Sequence, residues 1–510
     1  MPPIATDVAP DHLVACLAAL WPESVDRLPT LASERITLQL DSRRVNAGDV
    51  FIAVPGVASD GRDFIPSALK AGACLVLAHG DGAASVDSDP DARVVVLDGL
   101  CERLGEFGRL LFEVPEDLQV VGVTGTNGKS SVTHYIAELS QALDVDAAVV
   151  GTLGLGRPGS LAEAGLTTPG PLALQAALGR LAGNGVTRVA MEVSSHALDQ
   201  GRLEGCRITA AVFTNLSRDH LDYHGSMASY AAAKAKLFRR PELTLAVVNA
   251  NDSLARLMLA GLAPGVRVLA SGEDEAVTLR VLDWFPHAEG QRALIATPDG
   301  ERELSLGLMG RFNLDNVLLA IATLHGLGHP LEALFEAATH LQPVPGRMQV
   351  VTLPGAPTVV VDYAHTPDAL DNALTALRDH LPGSGRLWCL FGCGGDRDAG
   401  KRALMAAAAE RHADRLVITD DNPRSETPSA IRTQVCEGLS ADARVRAWNI
   451  EGRGAAIARL LGDAGVDDVV LIAGKGHEDY QETNGVREPF SDVEQAERAL
   501  STRVAGEARP

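Results

Sequence analysis

The chain has 510 residues, with 45 lysines and arginines against 66 aspartates and glutamates, a formal charge of 45 − 66 = −21. That length points to about three domains, and the acidic balance argues against a nucleic-acid partner, whose binding rests largely on basic side chains that neutralise phosphates. No uninterrupted apolar run approaches the roughly 20 residues that cross a bilayer, and the first basic residue is Arg27. Neither a membrane span nor a secretory leader is therefore expected, and a soluble cytoplasmic protein is.

From 1 to about 112, helical periodicity over 12–20 is followed by short apolar runs at 50–54, 74–78 and 94–97 that predict strands. The acidic, small-residue stretch 80–93 predicts a surface loop. A second segment opens with the run 118–123, which enters a glycine-rich turn and a helix over 130–143. Further runs at 147–150, 186–191, 210–213 and 243–248 alternate with helical stretches. After 343–347 the alternation resumes with runs at 358–361, 387–391, 415–418 and 468–472. This pattern predicts an α/β protein with mostly parallel sheets in three domains, 1–112, 113–342 and 343–510.

The strongest local signal is Val123-Thr-Gly-Thr-Asn-Gly-Lys-Ser130, between a strand and a helix. Glycines let backbone N–H groups face phosphate oxygens, Lys129 adds charge at the terminal phosphates, and the Ser130 hydroxyl suits Mg²⁺. A standard Walker loop needs glycine where Val123 stands, so the tighter Gly125-x-x-Gly128-Lys129-Ser130 marks a subset of nucleotide-binding proteins.

Two further strand ends carry Met191-Glu-Val-Ser-Ser-His-Ala-Leu198 and Thr214-Asn-Leu-Ser-Arg-Asp-His-Leu-Asp-Tyr-His224. Ligands gather at the carboxyl ends of parallel strands, which makes Glu192 and His220 candidate metal contacts. Spacing alone casts Lys234 and Lys236 as a solvated helix face. The seven cysteines, odd in number and scattered, fit reduced thiols, and Cys389 and Cys393 lack a second pair to complete a tetrahedral metal set. Only six basic residues are lysines (Lys70, Lys129, Lys234, Lys236, Lys401 and Lys475) and 39 are arginines. The lysines that survive such a bias are candidates for positions that need an amine.

With these residues assembled, the chain resembles the Mur ligase superfamily, ATP-dependent amide-forming enzymes that build the peptide stem of bacterial cell wall. The resemblance runs from Asp41-Ser-Arg43 to Gly474-Lys-Gly-His-Glu478. Between them lie Thr167-Thr-Pro169, Gly310 with Asn313 and Asn316, Pro345-Gly-Arg347, Asp362-Tyr-Ala-His-Thr-Pro367 and Gly392-Cys-Gly-Gly-Asp-Arg397. Asp421-Asn-Pro-Arg424 is similar to the motif of the members that add meso-diaminopimelate to UDP-N-acetylmuramoyl-L-alanyl-D-glutamate.

The resemblance implies a UDP-sugar-binding first domain, a central P-loop mononucleotide-binding sheet for ATP, and a C-terminal Rossmann-like domain for the amino acid. It implies that Gly125, Thr126, Asn127, Gly128, Lys129, Ser130 and Ser131 hold ATP, with Asn313, Asn316, Arg347 and His365 near the nucleotide. Ser42, Thr167, Thr168, Ser194, Gln200 and Arg202 would contact the UDP-muramoyl dipeptide. Arg397, Asp421, Asn422, Pro423, Arg424, Gly474 and Glu478 would bind diaminopimelate. Lys129, Lys234, Glu192 and His220 would be the catalytic groups. Lys234 aligns with a lysine that captures CO₂ as a carbamate, and as that carbamate it would join Ser130, Glu192 and His220 around Mg²⁺. Leu166 stands where the family commonly has asparagine on the sugar nucleotide, and Ser130 replaces a commoner threonine while keeping the hydroxyl. A monomer acting on small-molecule substrates is expected.

Overall fold

A computed structural model describes residues 6–507 apart from 32, 57–58, 82–90, 164 and 382, so most of the loop expected at 80–93 lies outside the described residues. The chain divides into two compact units, residues 1–269 and 270–510. Among the described residues no helix is long and apolar enough to cross a membrane.

In the first unit, Ile36–Gln39, Val50–Ala53, Leu75–Gly80 and Val94–Asp98 form a parallel sheet, with Asp7–Val8 antiparallel at one edge. Every residue of Leu75–Gly80 is buried, because helices cover both faces. Pro10–Leu20 and Leu100–Leu111 bring Leu13, Leu17, Leu104 and Phe107 to one face, and Ile65–Ala71 covers the other with Ile65 and Ala68.

A second parallel sheet of this unit runs in the order Leu245–Asn249, Ala210–Phe213, Gln119–Thr124, Arg188–Glu192 and Ala147–Gly151. Arg188–Glu192, Ala210–Phe213 and Ala147–Gly151 are buried throughout, which is why they read as continuous apolar runs. The register sets Glu192 opposite Val123 and Phe213 opposite Thr124, so three strands end at one level. The helix Lys129–Ala142 leaves that edge directly after the glycine turn.

The second unit holds a six-stranded sheet in the order Gln349–Val351, Thr358–Asp362, Val469–Ala473, Leu387–Phe391, Arg415–Ile418 and Trp448–Asn449, parallel except for the first strand. Pro367–His380 starts on a proline whose missing N–H costs nothing in a first turn, and the Thr366 hydroxyl caps it through the Ala369 amide. That helix, Gly400–His412 and Pro428–Glu437 pack Leu370, Leu374, Met405 and Val435 on one face of the sheet. Arg453–Asp463 and Asp492–Glu507 place Ile457, Leu460, Ala496 and Leu500 on the other, the doubly wound arrangement of a Rossmann-like domain. These last two helices are also joined by a fully buried ion pair, Arg453 Nε to Asp492 Oδ1 at 2.7 Å.

Two antiparallel additions depart from the mostly parallel expectation. Gly154–Arg157 and Ser160–Ala162 extend the edge strand Ala147–Gly151. Leu279–His287, Gly290–Thr297 and Gly300–Leu306 form a meander in the second unit. Charged residues such as Arg280, Asp283, Arg292 and Glu303 interrupt that meander's half-buried faces, so no apolar run betrays it.

Gly105, inside the helix Leu100–Leu111, has the Glu204 carbonyl where a β-carbon would stand, whereas Gly462 in Arg453–Asp463 faces open space. Gly105→Ala should therefore lower stability by about 1–3 kcal/mol, while Gly462→Ala should leave it unchanged or raise it by up to about 1 kcal/mol. Urea melts of the two variants beside wild type check both signs.

Candidate active site

The glycine turn bends the chain back so that its carbonyls and amides are held from two sides. Gly125 has φ +153° and Gly128 φ +83°, and a β-carbon at 125 would overlap the Thr214 hydroxyl. The next strand end braces the turn: Thr126 N donates to Asn215 O at 2.8 Å, Asn127 N to Asn215 Oδ1 at 3.0 Å, and Thr214 Oγ1 to Asn127 O at 2.6 Å. Lys129 Nζ closes the turn onto the Gly125 and Thr126 carbonyls at 3.0 and 2.9 Å. Lys129, Ser130 and Ser131 open the helix, so its N-terminal amides and dipole face the space over the turn.

Glu192 is the centre of a second set of bonds. It is 1 % exposed, and its Oε1 accepts from Ser130 Oγ at 2.9 Å and Thr152 N at 2.8 Å. Thr152 Oγ1 donates to Oε2 at 3.2 Å and meets Thr167 Oγ1 at 3.0 Å. Thr168 Oγ1 donates to the Glu192 carbonyl at 2.8 Å and accepts from Ser194 N at 3.1 Å. Arg202 Nη1 then donates to Thr168 O at 2.9 Å, and its Nη2 to Gln200 Oε1 at 2.6 Å. One connected network thus joins Ser130, Glu192, Thr167, Thr168, Ser194, Gln200 and Arg202. Ser42, in the short turn Ser42–Arg44, takes no part in it, and Leu166 is 53 % exposed beside Thr167.

Ser130 and Glu192 offer oxygen ligands, the chemistry Mg²⁺ prefers, and they fit such an ion. Among the described residues no cluster of three or more His, Cys, Asp or Glu stands at metal-binding distance. His220 sits at φ +53° with its Nε2 3.3 Å from Asp219 Oδ2. Its ring packs edge-on to His196, 4.9 Å between centroids, and His196 also meets Tyr223 and His224. Desolvation holds His196 and His224 below the ordinary imidazole value, reinforced at His196 by Arg202 and at His224 by His196.

Lys234 departs from the solvated face that its spacing suggests. On the helix Met227–Ala235 it is 1 % exposed, with Nζ donating to Gly125 O at 2.6 Å and lying 4.6 Å from the Tyr230 ring centroid. Lys236 alone follows the expectation, exposed and 2.9 Å from Asp199. Burial, reinforced by Lys129, drives the Lys234 amine well below its ordinary value. Tyr230, whose hydroxyl meets Thr126 Oγ1 at 3.2 Å, has its phenol pushed up to about 12 by burial.

In the second unit, the remaining candidate residues follow strand ends or begin a helix. Asn313 and Asn316 are buried in Arg311–Gly326, with Asn313 Nδ2 on Met309 O at 2.8 Å. Arg347 lies 4.6 Å from the Tyr363 ring centroid, and His365 Nδ1 meets Tyr363 O at 2.8 Å. Gly346 has φ +65° and presses on Gly476 and His477, leaving no space for a β-carbon. Burial and Arg347 bring the His477 imidazole down to about 4.

Arg424, at φ +51°, is pinned by its own backbone: its N donates to Glu482 O at 3.0 Å and its carbonyl accepts from Asn484 N at 2.7 Å. Its Nη1 donates to Gly395 O at 2.8 Å. A β-carbon on Gly394 would lie 2.9 Å from that nitrogen and 3.8 Å from Arg397 Cγ, so both arginines flank one glycine. Pro423 precedes Arg424 and its carbonyl accepts from Glu426 N at 3.0 Å. Gly474 has φ +116°, and a β-carbon there would crowd the Asp421 carboxylate at 2.9 Å. Asn422 Nδ2 donates to Glu478 Oε2 at 2.9 Å.

Sequence reasoning passed over Thr152, Asn215, Tyr230, Tyr363 and the His196 and His224 rings. Asn215 lay inside a quoted motif, whereas Thr152 follows Gly151 with no local pattern to mark it.

A phosphate loop backed by a buried carboxylate, on an α/β scaffold with a separate doubly wound sheet, defines a class, and comparison with known proteins names it. Residues 123–324 match the Mur ligase middle domain, 346–476 the Mur ligase, glutamate ligase domain, and 37–100 the Mur ligase family, catalytic domain. The chain belongs to the Mur ligase family. It is 50% identical over 465 residues to the UDP-N-acetylmuramoyl-L-alanyl-D-glutamate--2,6-diaminopimelate ligase of Pseudomonas aeruginosa, covering 91% of this chain and 94% of that one. The ligase of the same name from Neisseria meningitidis is 41% identical over 491 residues, covering 95% and 99%. A solved structure of a ligase of that name superposes with a TM-score of 0.70 at 37% identity, covering 96% and 99%. A MurF ligase from Thermotoga maritima in complex with ADP shares the fold at a TM-score of 0.60 and 20% identity, covering 92% and 98%.

The buried amine carries a pH signature. The native state holds Lys234 neutral at pH values where the unfolded chain binds a proton, so ν is larger in the unfolded state and stability rises with pH. That rise runs from the lowered native value up to the ordinary 10.5. In carbon-dioxide-free buffer, Lys234→Met should remove up to about 1.4 kcal/mol per pH unit of the rise, measured as the difference between the two proteins' urea-melt stabilities across a pH series.

Proposed function

We propose that the chain is an ATP-dependent ligase that joins meso-diaminopimelate to UDP-N-acetylmuramoyl-L-alanyl-D-glutamate, a cytoplasmic step in cell-wall precursor synthesis carried out by a monomer. The observation that supports this most directly is the cluster of Arg424, Asn422, Gly474 and Glu478 at the strand ends of the second unit. Residues 1–112 are assigned to the sugar nucleotide, 113–342 to ATP and 343–510 to the amino acid.

A carboxylate resists attack by an amine because its leaving group is poor. Transfer of the γ-phosphoryl group of ATP to the D-glutamyl carboxylate gives an acyl phosphate and ADP. The amine of diaminopimelate then attacks the acyl carbon, phosphate leaves with the C–O bonding pair, and the nitrogen sheds a proton. The first step brings two anions together. Lys129 and the amides that open Lys129–Ala142 offset that repulsion, and Lys129 exchanges its two loop carbonyls for phosphate oxygens. Ser130, Glu192, His220 and a carbamate on Lys234 would hold Mg²⁺, which supplies further positive charge to the phosphates when bound. Asn313, Asn316, Arg347 and His365 are assigned to the nucleotide. Ser42, Thr167, Thr168, Ser194, Gln200 and Arg202 are assigned to the UDP-muramoyl dipeptide.

Lys234 is suited to carbamate formation because a neutral amine adds CO₂, releasing one proton and leaving an anion, whereas a guanidinium does not. Lys234→Arg should cut turnover by about 100-fold or more, the scale of a lost electrostatic group at such a site. It should also abolish the carbamate resonance seen by NMR with ¹³C-bicarbonate; wild-type turnover in that variant would rule the carbamate out.

The acceptor's far end carries a carboxylate and an amine, and neither can be buried without a partner. Arg424 suits the carboxylate by a two-pronged contact and Glu478 suits the amine, with Arg397, Asp421, Asn422, Pro423 and Gly474 completing the site. L-Lysine lacks that carboxylate and would leave Arg424 without it. Phosphate release with the UDP-muramoyl dipeptide should therefore favour meso-diaminopimelate over L-lysine by about 100-fold or more in kcat/KM, and equal kinetics would refute the assignment.

A further inference from the structure

Lys475 is a motif residue that the reaction outlined above leaves without a role, yet it is 0 % exposed. Burying an ammonium is costly unless it is paired and hydrogen-bonded. Its Nζ donates to Glu478 Oε2 at 3.0 Å and to Asn422 Oδ1 at 3.2 Å, and lies 5.5 Å from the Tyr480 ring centroid. Asn422, itself 2 % exposed, completes the triangle by donating Nδ2 to the same Glu478 oxygen at 2.9 Å. The Asn422 Oδ1 also accepts from Glu482 N at 2.9 Å, which ties the triangle to the strand Tyr480–Thr483.

The consequence falls on Glu478. Both donors take Oε2, so the carboxylate cannot rotate without breaking two bonds, one of them to a charge. A carboxylate accepts at either oxygen, and Oε1 takes neither of these bonds. We infer that Lys475 is a positioning and specificity residue for the acceptor's distal amine. Its buried ammonium fixes Glu478 by one oxygen and so aims the other at that amine. The inference rests on the functional reading above and deepens it. Arginine would not serve at this position, because a planar fork needs more room than a fully enclosed ammonium has.

The test compares two acceptors that differ only in the group Glu478 reads: meso-diaminopimelate and 2-aminopimelate, which keeps both carboxylates and the reacting amine but lacks the distal one. Phosphate release is followed with the intact protein, ATP and UDP-muramoyl dipeptide. In Lys475→Met, KM for diaminopimelate should rise by at least about tenfold, with KM for ATP unchanged. The kcat/KM for 2-aminopimelate should stay within about threefold, so the preference for diaminopimelate collapses. A merely structural role would lower both acceptors together, and that result in a folded variant overturns the inference, as does an unchanged preference.

Should Lys475→Met not fold, because Glu478 is left without its buried partner, the double variant Lys475→Met with Glu478→Gln removes both charges. Its preference between the two acceptors should equal that of Glu478→Gln alone, and a further loss beyond that single variant overturns the inference. Wild-type protein that releases no phosphate in response to diaminopimelate fails differently: it overturns the functional reading, and this inference with it.

Discussion

The alignment of parallel strand ends in the first unit is the constraint on which the candidate site depends. Glu192 stands opposite Val123, and Phe213 opposite Thr124. Because these strands run the same way, the phosphate turn, the buried carboxylate and Thr214 all leave the sheet at one edge. A slip of one residue would send Glu192 to the other face, out of reach of Ser130. The same constraint operates in the second unit, where Asp362 pairs with Ala473 and Phe391 with Ile418. The motifs that begin at 362, 392, 421 and 474 therefore emerge on a common edge.

Charge is handled locally rather than by the molecule as a whole. A formal −21 opposes any long-range attraction of anionic nucleotides. Positive charge is instead placed in single groups: Lys129 over its turn, Arg202 in the Glu192 network, and the pair Arg397 and Arg424 around Gly394. Lys129, Arg202 and Arg424 are each held by backbone carbonyls or a neighbouring side chain, so little of their freedom remains to be lost when a ligand arrives.

Two of the six lysines are fully enclosed, and their surroundings set them apart. Lys234 has a carbonyl, an aromatic face and another lysine for company, and burial there favours the neutral amine. Lys475 has a carboxylate within 3.0 Å, and that contact belongs to an ion pair. A nucleophilic amine needs the first environment, and a fixed counter-charge needs the second. Replacement of either by arginine would bring in a planar, permanently charged group.

The alternation of apolar runs and helical stretches was enough to place the parallel strands that are buried on both faces, since such a strand has to be apolar throughout, but not Ile36–Gln39 or Trp448–Asn449, which are only partly buried. The glycine turn was legible for a similar reason: only Gly125 and Gly128 accept the positive φ and the close approach of Thr214. The antiparallel meander at 279–306 was not legible, because half-exposed strands carry charges that break the run. Nor could spacing assign Lys234, which shares a helix face with exposed residues in one dimension and is enclosed by Gly125 and Tyr230 in three. The sequence by itself determined the fully buried parallel strands, the phosphate turn and the family. Only the tertiary structure decided which lysines are buried, which oxygen of Glu478 is held, and that Thr152 and Asn215 brace the site. Burial and hydrogen-bond partnership arise between residues far apart in the chain, and no local pattern encodes them.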